Sequence, residues 1–313
     1  MNTSGDLQCT HLLNCCTKRY LDSKQYRCLS NNHFRICFNK PTHTGRVAPR
    51  NLSLFEFHAM TSTRSHFFVI LAFLCSTVPL LANESVVEDA ITVTTTPAHR
   101  MDENNKKRGS WWKDRHEEKR ALAQQGDWEL VFLGDSITHG WERNGQTTWD
   151  EYYGDRKAIN LGFGGDRTEH VLWRLDHGEF DGYKPRVAVI MIGTNNTGHD
   201  MHPPEAIAAG IKKIVATIQN KSPDTKILLL GIFPRGATTD DPKRVNNDNT
   251  NALISTMADG KRIFFLNINN EFLTEDGVLT KEIMPDLLHP KEKGYAIWAK
   301  AMEPTLARLY DMK

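Results

Sequence analysis

The sequence predicts a doubly wound α/β domain on a five-stranded parallel sheet, and three observations carry that expectation. From residue 128 onward, short continuous apolar runs alternate with helical patterns, the mark of strands buried on both faces with helices between them. The first run, Val131-Phe-Leu133, passes straight into Gly134-Asp-Ser136. The segments after the other strands are rich in Gly, Asn and Asp, and in open α/β sheets ligands sit beyond the carboxyl ends of the strands.

The runs are Leu130 to Leu133, Ala158 to Leu161, Val187 to Ile192, Ile227 to Phe233 and Ile263 to Ile268. Each has the length and residue types of a buried strand. Between the third and fourth, Ala206, Ile207, Ile211, Ile214, Val215 and Ile218 recur at helical spacing after Pro203-Pro204, a suitable helix start. A last helix is expected from about Lys291 to Leu309, kinked or divided at Pro304 because proline lacks the N–H that the ladder needs.

The first hundred residues read differently. Residues 1–83 carry nine Lys or Arg and three Asp or Glu, against 30 and 35 in residues 84–313, so the remainder is mildly acidic and a nucleic-acid footprint is not expected. All six cysteines fall before residue 76 without C-x-x-C or zinc-finger spacing, which gives no metal-site signal. Phe67 to Leu74 is an unbroken apolar octet after Arg64 and His66, and it continues through Val78-Pro-Leu-Leu-Ala82. That is a signal-peptide pattern, too short for a membrane span of about 20 residues. The expected organisation is a start at Met60, a signal peptide over 60–82, a polar linker over 83–109 and a catalytic domain over 110–313, with residues 1–59 a non-native upstream extension. The alternative is a genuine extension followed by a membrane anchor at the same segment.

Four post-strand segments carry the candidate chemistry: Gly134-Asp-Ser136, Gly162-Phe-Gly-Gly-Asp166, Gly193-Thr-Asn-Asn196 and, near the end, Asp286-Leu-Leu-His289. Singly, each has a plain structural reading. Asp135 and Ser136 suit a helix N-cap, the glycines a tight turn, Asn195 a turn's backbone groups, and Asp286 with His289 a surface pair. The Gly162 run lacks the third glycine of the dinucleotide fingerprint. His199-Asp-Met-His202 reads as a metal pair or a solvated loop. Jointly, the four segments are expected to converge on one cleft at the strand ends, bringing together a hydroxyl, an amide-rich turn, a side-chain amide and an Asp/His pair.

These blocks resemble the SGNH (GDSL-type) hydrolases. Within that superfamily, Asn160-Leu-Gly-Phe-Gly-Gly-Asp166, His170-Val-Leu-Trp-Arg-Leu175, Gly193-Thr-Asn-Asn196 and Phe233-Pro-Arg-Gly236 are similar to the catalytic alpha subunits of intracellular platelet-activating factor acetylhydrolase. The resemblance covers about residues 128–310. It implies a three-layer α/β/α, flavodoxin-like fold, Ser136 as nucleophile, Asp286 and His289 completing the triad, and Ser136, Gly165 and Asn195 as oxyanion donors. Ile137 stands where the family has Leu, and the animal subunits have no export signal.

The chemistry is consistent with that reading. A serine hydroxyl needs a base, the base needs an orienting carboxylate, and the developing oxyanion needs N–H donors. The run Gly134-Asp-Ser-Ile-Thr138 lacks the last glycine of the Gly-x-Ser-x-Gly elbow of classical α/β-hydrolases. A serine esterase for short acyl esters, acetyl first, is expected, secreted or periplasmic, without cofactor or metal, on a small-molecule or glycan ester. The alternatives are a carbohydrate O-deacetylase, a lysophospholipase-like lipid esterase and a non-catalytic binding module. Trp141, Trp149, Tyr152, Tyr153, Trp173 and Arg167 are candidates for a sugar site or for packing.

Overall fold

Strands of the sheet are laid down by the five apolar runs in the order they were read. The computed structural model of the chain describes residues 26–31, 34–39, 84–100 and 106–312. The expected signal peptide, the Met60 start and most of residues 1–59 lie outside them. In the N-terminal unit, β1 (Tyr26–Asn31) and β2 (Phe34–Asn39) pair antiparallel.

In the second unit, β3 (Leu130–Gly134), β4 (Ala158–Gly162), β5 (Val187–Met191), β6 (Lys226–Leu230) and β7 (Ile263–Leu266) form one parallel sheet in the order β4-β3-β5-β6-β7. Crossover helices cover both faces, as parallel connections require. Alternate residues feed two separate cores. Val131, Leu133, Ile190 and Leu229 face α5 (Thr168–Asp176), α7 (Pro204–Lys221) and α8 (Pro242–Ser255). Leu130, Phe132, Val189 and Leu228 face Trp141, Tyr153 of α4 (Gln146–Tyr153) and α9 (Glu292–Asp311).

Three local outcomes differ from the expectations. Residues 84–100, expected within a linker, contain helix α1 (84–95), and Thr94 is fully buried. Helix α2 (Lys106–Gln125) also begins inside the expected linker. The third is α9, which Pro304 does not divide in two: Trp298, Met302, Leu306 and Leu309 are completely buried along it, and that packing outweighs the lost backbone bond.

Candidate active site

The site is built where β3 stops. Asp135 caps the short helix α3 (Ser136–His139), its Oδ1 accepting the Ile137 N–H at 2.9 Å. The helix-cap and nucleophile readings of Asp135-Ser136 are therefore compatible: Asp135 caps, and Ser136 occupies the first helical position at the strand end. Close packing sets its place. A side chain on Gly134 would strike Thr138 and the Met191 carbonyl, and one on Gly162 would strike the backbone of α3. Two further bonds pin α3: Tyr295 Oη donates to the Ile137 carbonyl at 2.7 Å, and Asn160 Nδ2 to the Thr138 carbonyl at 3.0 Å.

From the chain's other end comes a turn carrying Asp286 and His289. Leu287 has a φ of 58°, a conformation costly for leucine. It folds the turn back so that Asp286 Oδ1 accepts the N–H groups of Leu288 and His289 at 3.1 and 2.8 Å. The Leu287 carbonyl in turn accepts the Gly236 N–H at 3.0 Å, which gives the Phe233-Pro-Arg-Gly236 block a structural task.

Ser136 Oγ lies 2.8 Å from His289 Nε2, and His289 Nδ1 lies 2.6 Å from Asp286 Oδ2. An ionised carboxylate only accepts, so Nδ1 carries the proton and Nε2 is free to accept from the hydroxyl. Burial alone would raise the Asp286 pKa, but the His289 ring and the two backbone donors hold it below its ordinary value. Asp135 goes the other way: desolvation pushes it up to about 7 against the Ile137 N–H.

The other two expected site residues belong to the segments that follow β4 and β5. Gly165 has a φ of 78°, reached readily only by glycine. Asn195 belongs to α6 (Thr194–Asp200), and its Nδ2 donates to the Asp166 carbonyl at 2.9 Å. One amide hydrogen of Asn195 thus fixes it to the loop that carries Gly165, and the amide has a second donor. Ser136 and His289 line a cleft of about 370 Å³ together with Trp111, His139, Arg143, Gly164 and Tyr295. Gly165 and Asn195 do not line it directly. The Arg100 guanidinium covers the Gly165 face and donates to the Gly164 carbonyl.

Behind that loop is a dry network absent from the sequence expectations. Asp166 accepts from Trp112 Nε1 at 2.7 Å and from Arg174 Nε at 2.9 Å. Arg174 also donates to Glu179, which contacts His116 Nδ1 at 2.7 Å. All five side chains are essentially inaccessible. Desolvation raises Asp166 to about 6, with Arg174 and the Trp112 N–H working against it.

The aromatic candidates for a sugar site are mainly packing. Trp141 and Tyr153 are fully buried, Trp149 and Tyr152 pack against the same core, and Trp173 stacks on His177 at 3.6 Å. Arg167 pairs with Glu169 and Asp200. His202 approaches the Asn196 amide at 3.4 Å, and among the described residues no group of three or more His, Cys, Asp or Glu is placed to hold a metal. Arg100, Trp111, Arg143 and Tyr295 were missed as site residues.

Residues 132–297 match the GDSL-like lipase/acylhydrolase family. The chain belongs to that family. It is 35% identical over 202 residues to platelet-activating factor acetylhydrolase IB subunit alpha1 of Bos taurus, covering 63% of this chain and 83% of the relative. It is 33% identical over 201 residues to the alpha2 subunit of Rattus norvegicus, covering 64% and 85%. The fold is similar to that of a GDSL-like lipase from Bacteroides thetaiotaomicron, with a TM-score of 0.50 at 21% identity over 63% of this chain and 97% of that one. As a GDSL acylhydrolase with acetylhydrolase relatives, the chain is an ester-hydrolysing enzyme.

Proposed function

We propose that this acylhydrolase removes short acyl groups, acetyl first, through a Ser136–His289–Asp286 triad. The observation that carries the reading is the pair of hydrogen bonds, 2.8 and 2.6 Å long, linking Ser136 to His289 and His289 to Asp286. His289 Nε2 takes the hydroxyl proton as Ser136 Oγ attacks the ester carbonyl, and Asp286 stabilises the imidazolium that forms. The tetrahedral oxyanion is held by the Ser136 and Gly165 N–H groups and the Asn195 amide. His289 then returns the proton to the departing alcohol, and water repeats the sequence on the acyl-enzyme.

Acyl length follows from the walls. Among the described residues, the ten that line the cleft include no Leu, Ile, Val, Met or Phe, so each added methylene forgoes about 0.8 kcal/mol of burial. The acetylhydrolase names of the mammalian relatives favour acetyl as the group removed. Export through the 60–82 segment belongs to the same proposal; among the described residues no helix is long and apolar enough to cross a membrane.

The test is a p-nitrophenyl ester series under non-micellar conditions, with stopped-flow detection of an acyl-enzyme burst. The expected outcome is the highest kcat/KM at acetyl or propionyl and a decline from butyryl to octanoyl. A rate climbing steadily to octanoyl would reject the short-acyl reading.

A further inference from the structure

The loop after β4 folds into a tight turn with two glycines at its middle. The Asp166 N–H donates to the Phe163 carbonyl at 3.1 Å, and Gly165, third of the four residues, has the positive φ of 78° that a type II turn requires. The middle peptide of such a turn, here Gly164–Gly165, carries the Gly164 carbonyl on one side and the Gly165 N–H on the other. A half-rotation of that peptide leads toward a type I turn and reverses both groups. Neither glycine has a Cβ to resist the rotation.

The flanks of the turn are fixed. The Phe163 N–H donates to the Gly134 carbonyl at 3.0 Å, and the Gly164 N–H to His139 Nδ1 at 3.3 Å. Burial, followed by the charge of Arg115, lowers His139 to about 4 against the pull of Glu142, with Arg143 and Lys119 adding to the lowering; the ring is therefore neutral near pH 7 and can accept. None of these bonds touches the middle peptide. Arg100 does. Its guanidinium donates to the Gly164 carbonyl and lies over Gly165, where a Cβ would come within 2.7 Å of Nη2.

Because the peptide is planar and trans, a carbonyl held by Arg100 sends the Gly165 N–H the opposite way. Among the described residues that N–H has no hydrogen-bond partner. A cationic donor on the carbonyl also polarises the peptide and strengthens its N–H as a donor. Arg100 is itself well anchored. Just before it, Thr94 Oγ1 donates to the Ala206 carbonyl at 2.6 Å and the Ala98 N–H to the Glu169 carbonyl at 3.1 Å. The His99 ring meets Trp112 and Trp173 edge-on, with centroids 4.9 and 4.8 Å apart.

We propose that Arg100 is a positioning residue of the esterase: by holding the Gly164 carbonyl it locks the Gly164–Gly165 peptide with the Gly165 N–H turned toward the developing oxyanion. The inference rests on the reading of Gly165 as an oxyanion donor. With the peptide reversed, the site loses that N–H and gains the negative end of a carbonyl dipole on the same side. Substrate binding does not need the N–H in this orientation, but the tetrahedral intermediate does.

The experiment measures p-nitrophenyl acetate hydrolysis by the wild type, Arg100→Met and Arg100→Lys, together with crystal structures of all three. Methionine keeps much of the apolar stem and removes the donor, whereas lysine keeps one. Arg100→Met should lower kcat by about 10- to 100-fold, part of the cost of losing an oxyanion donor outright, with KM nearly unchanged and the Gly164–Gly165 peptide turned. Arg100→Lys should recover most of the lost kcat with the peptide in place. An unchanged kcat with the peptide still in place overturns the role of Arg100 and leaves the Gly165 reading standing. An unchanged kcat with the peptide turned overturns the Gly165 reading and the proposal with it. A fall in kcat with the peptide in place, or a rise in KM alone, shows that Arg100 acts by another route and also overturns the proposal.

Discussion

Asp286 and Asp166 each meet a cationic or ionisable partner at hydrogen-bond distance, and they differ in almost everything else. Asp286 and His289 sit on a surface turn with side chains 55% and 42% exposed, whereas Asp166 and Arg174 are both at 0%. The wet pair takes part in the proposed proton relay, and water around it lets the imidazole gain and lose charge at modest cost. The dry pair transfers nothing. Its Asp166 holds the loop that presents Gly165, and its backbone carbonyl fixes Asn195. On the proposed mechanism the same chemistry is thus used once for turnover and once for geometry, and burial decides which.

The sharpest way to break this comparison is to remove each relay partner. Ser136→Ala and His289→Ala should each lower kcat/KM by about 10⁴- to 10⁶-fold, with melting temperatures close to wild type, because both side chains are partly exposed. Near-wild-type esterase activity in either variant would end the triad assignment. On the dry side the effect should appear in stability. Arg174→Met leaves Asp166 and Glu179 buried without their cation and should cost about 3–5 kcal/mol in denaturant unfolding. A loss under 1 kcal/mol would mean that water reaches the network.

Asn195→Ala lies between the two. It removes the proposed oxyanion donor that the dry loop positions, so kcat should fall about 100- to 1000-fold with KM nearly constant, the signature of a contact made in the transition state. A rise in KM with unchanged kcat would place Asn195 in ground-state binding instead.

The sequence disclosed these two regions unequally. The five strands were legible because buried apolar runs need no partner to be recognised, and Asp286 with His289 was legible because an i, i+3 pair lies close in sequence as well as in space. The dry network was not: Trp112, His116, Asp166, Arg174 and Glu179 come from two helices and two loops, and periodicity records apolar faces but not polar pairing. Helix α1 was hidden for a related reason. Its burial rests on Ala90 and Thr94, and Thr94 is satisfied by Thr168 and Ala206, far along the chain. Arg100 became visible as a site residue only once that strap was placed.

The smallest expected effect concerns pH, where the wet and dry carboxylates have opposite signs. Asp135 and Asp166 are raised by burial from 3.8 to about 7 and about 6, so the folded state holds protons that the unfolded state releases. Their stabilising contribution is complete below about pH 4 and is lost as pH rises through those values. Asp286 is depressed; its contribution is present above pH 3.8 and is lost as pH falls below that. His139 and His170, lowered by burial to about 4 and about 3, add stability above their ordinary pKa of 6.5 and mask part of these trends in the wild type. Differences between variants and wild type remove that background. Thermal melts from pH 3 to 8 should show Asp135→Asn gaining on the wild type between pH 4 and 7. Asp286→Asn should lag the wild type above pH 4 by less than about 1 kcal/mol, as solvent screens an exposed pair, and the gap should close in acid. A gap for Asp286→Asn that widens in acid would show that His289 and its turn are held by something other than the Asp286 charge.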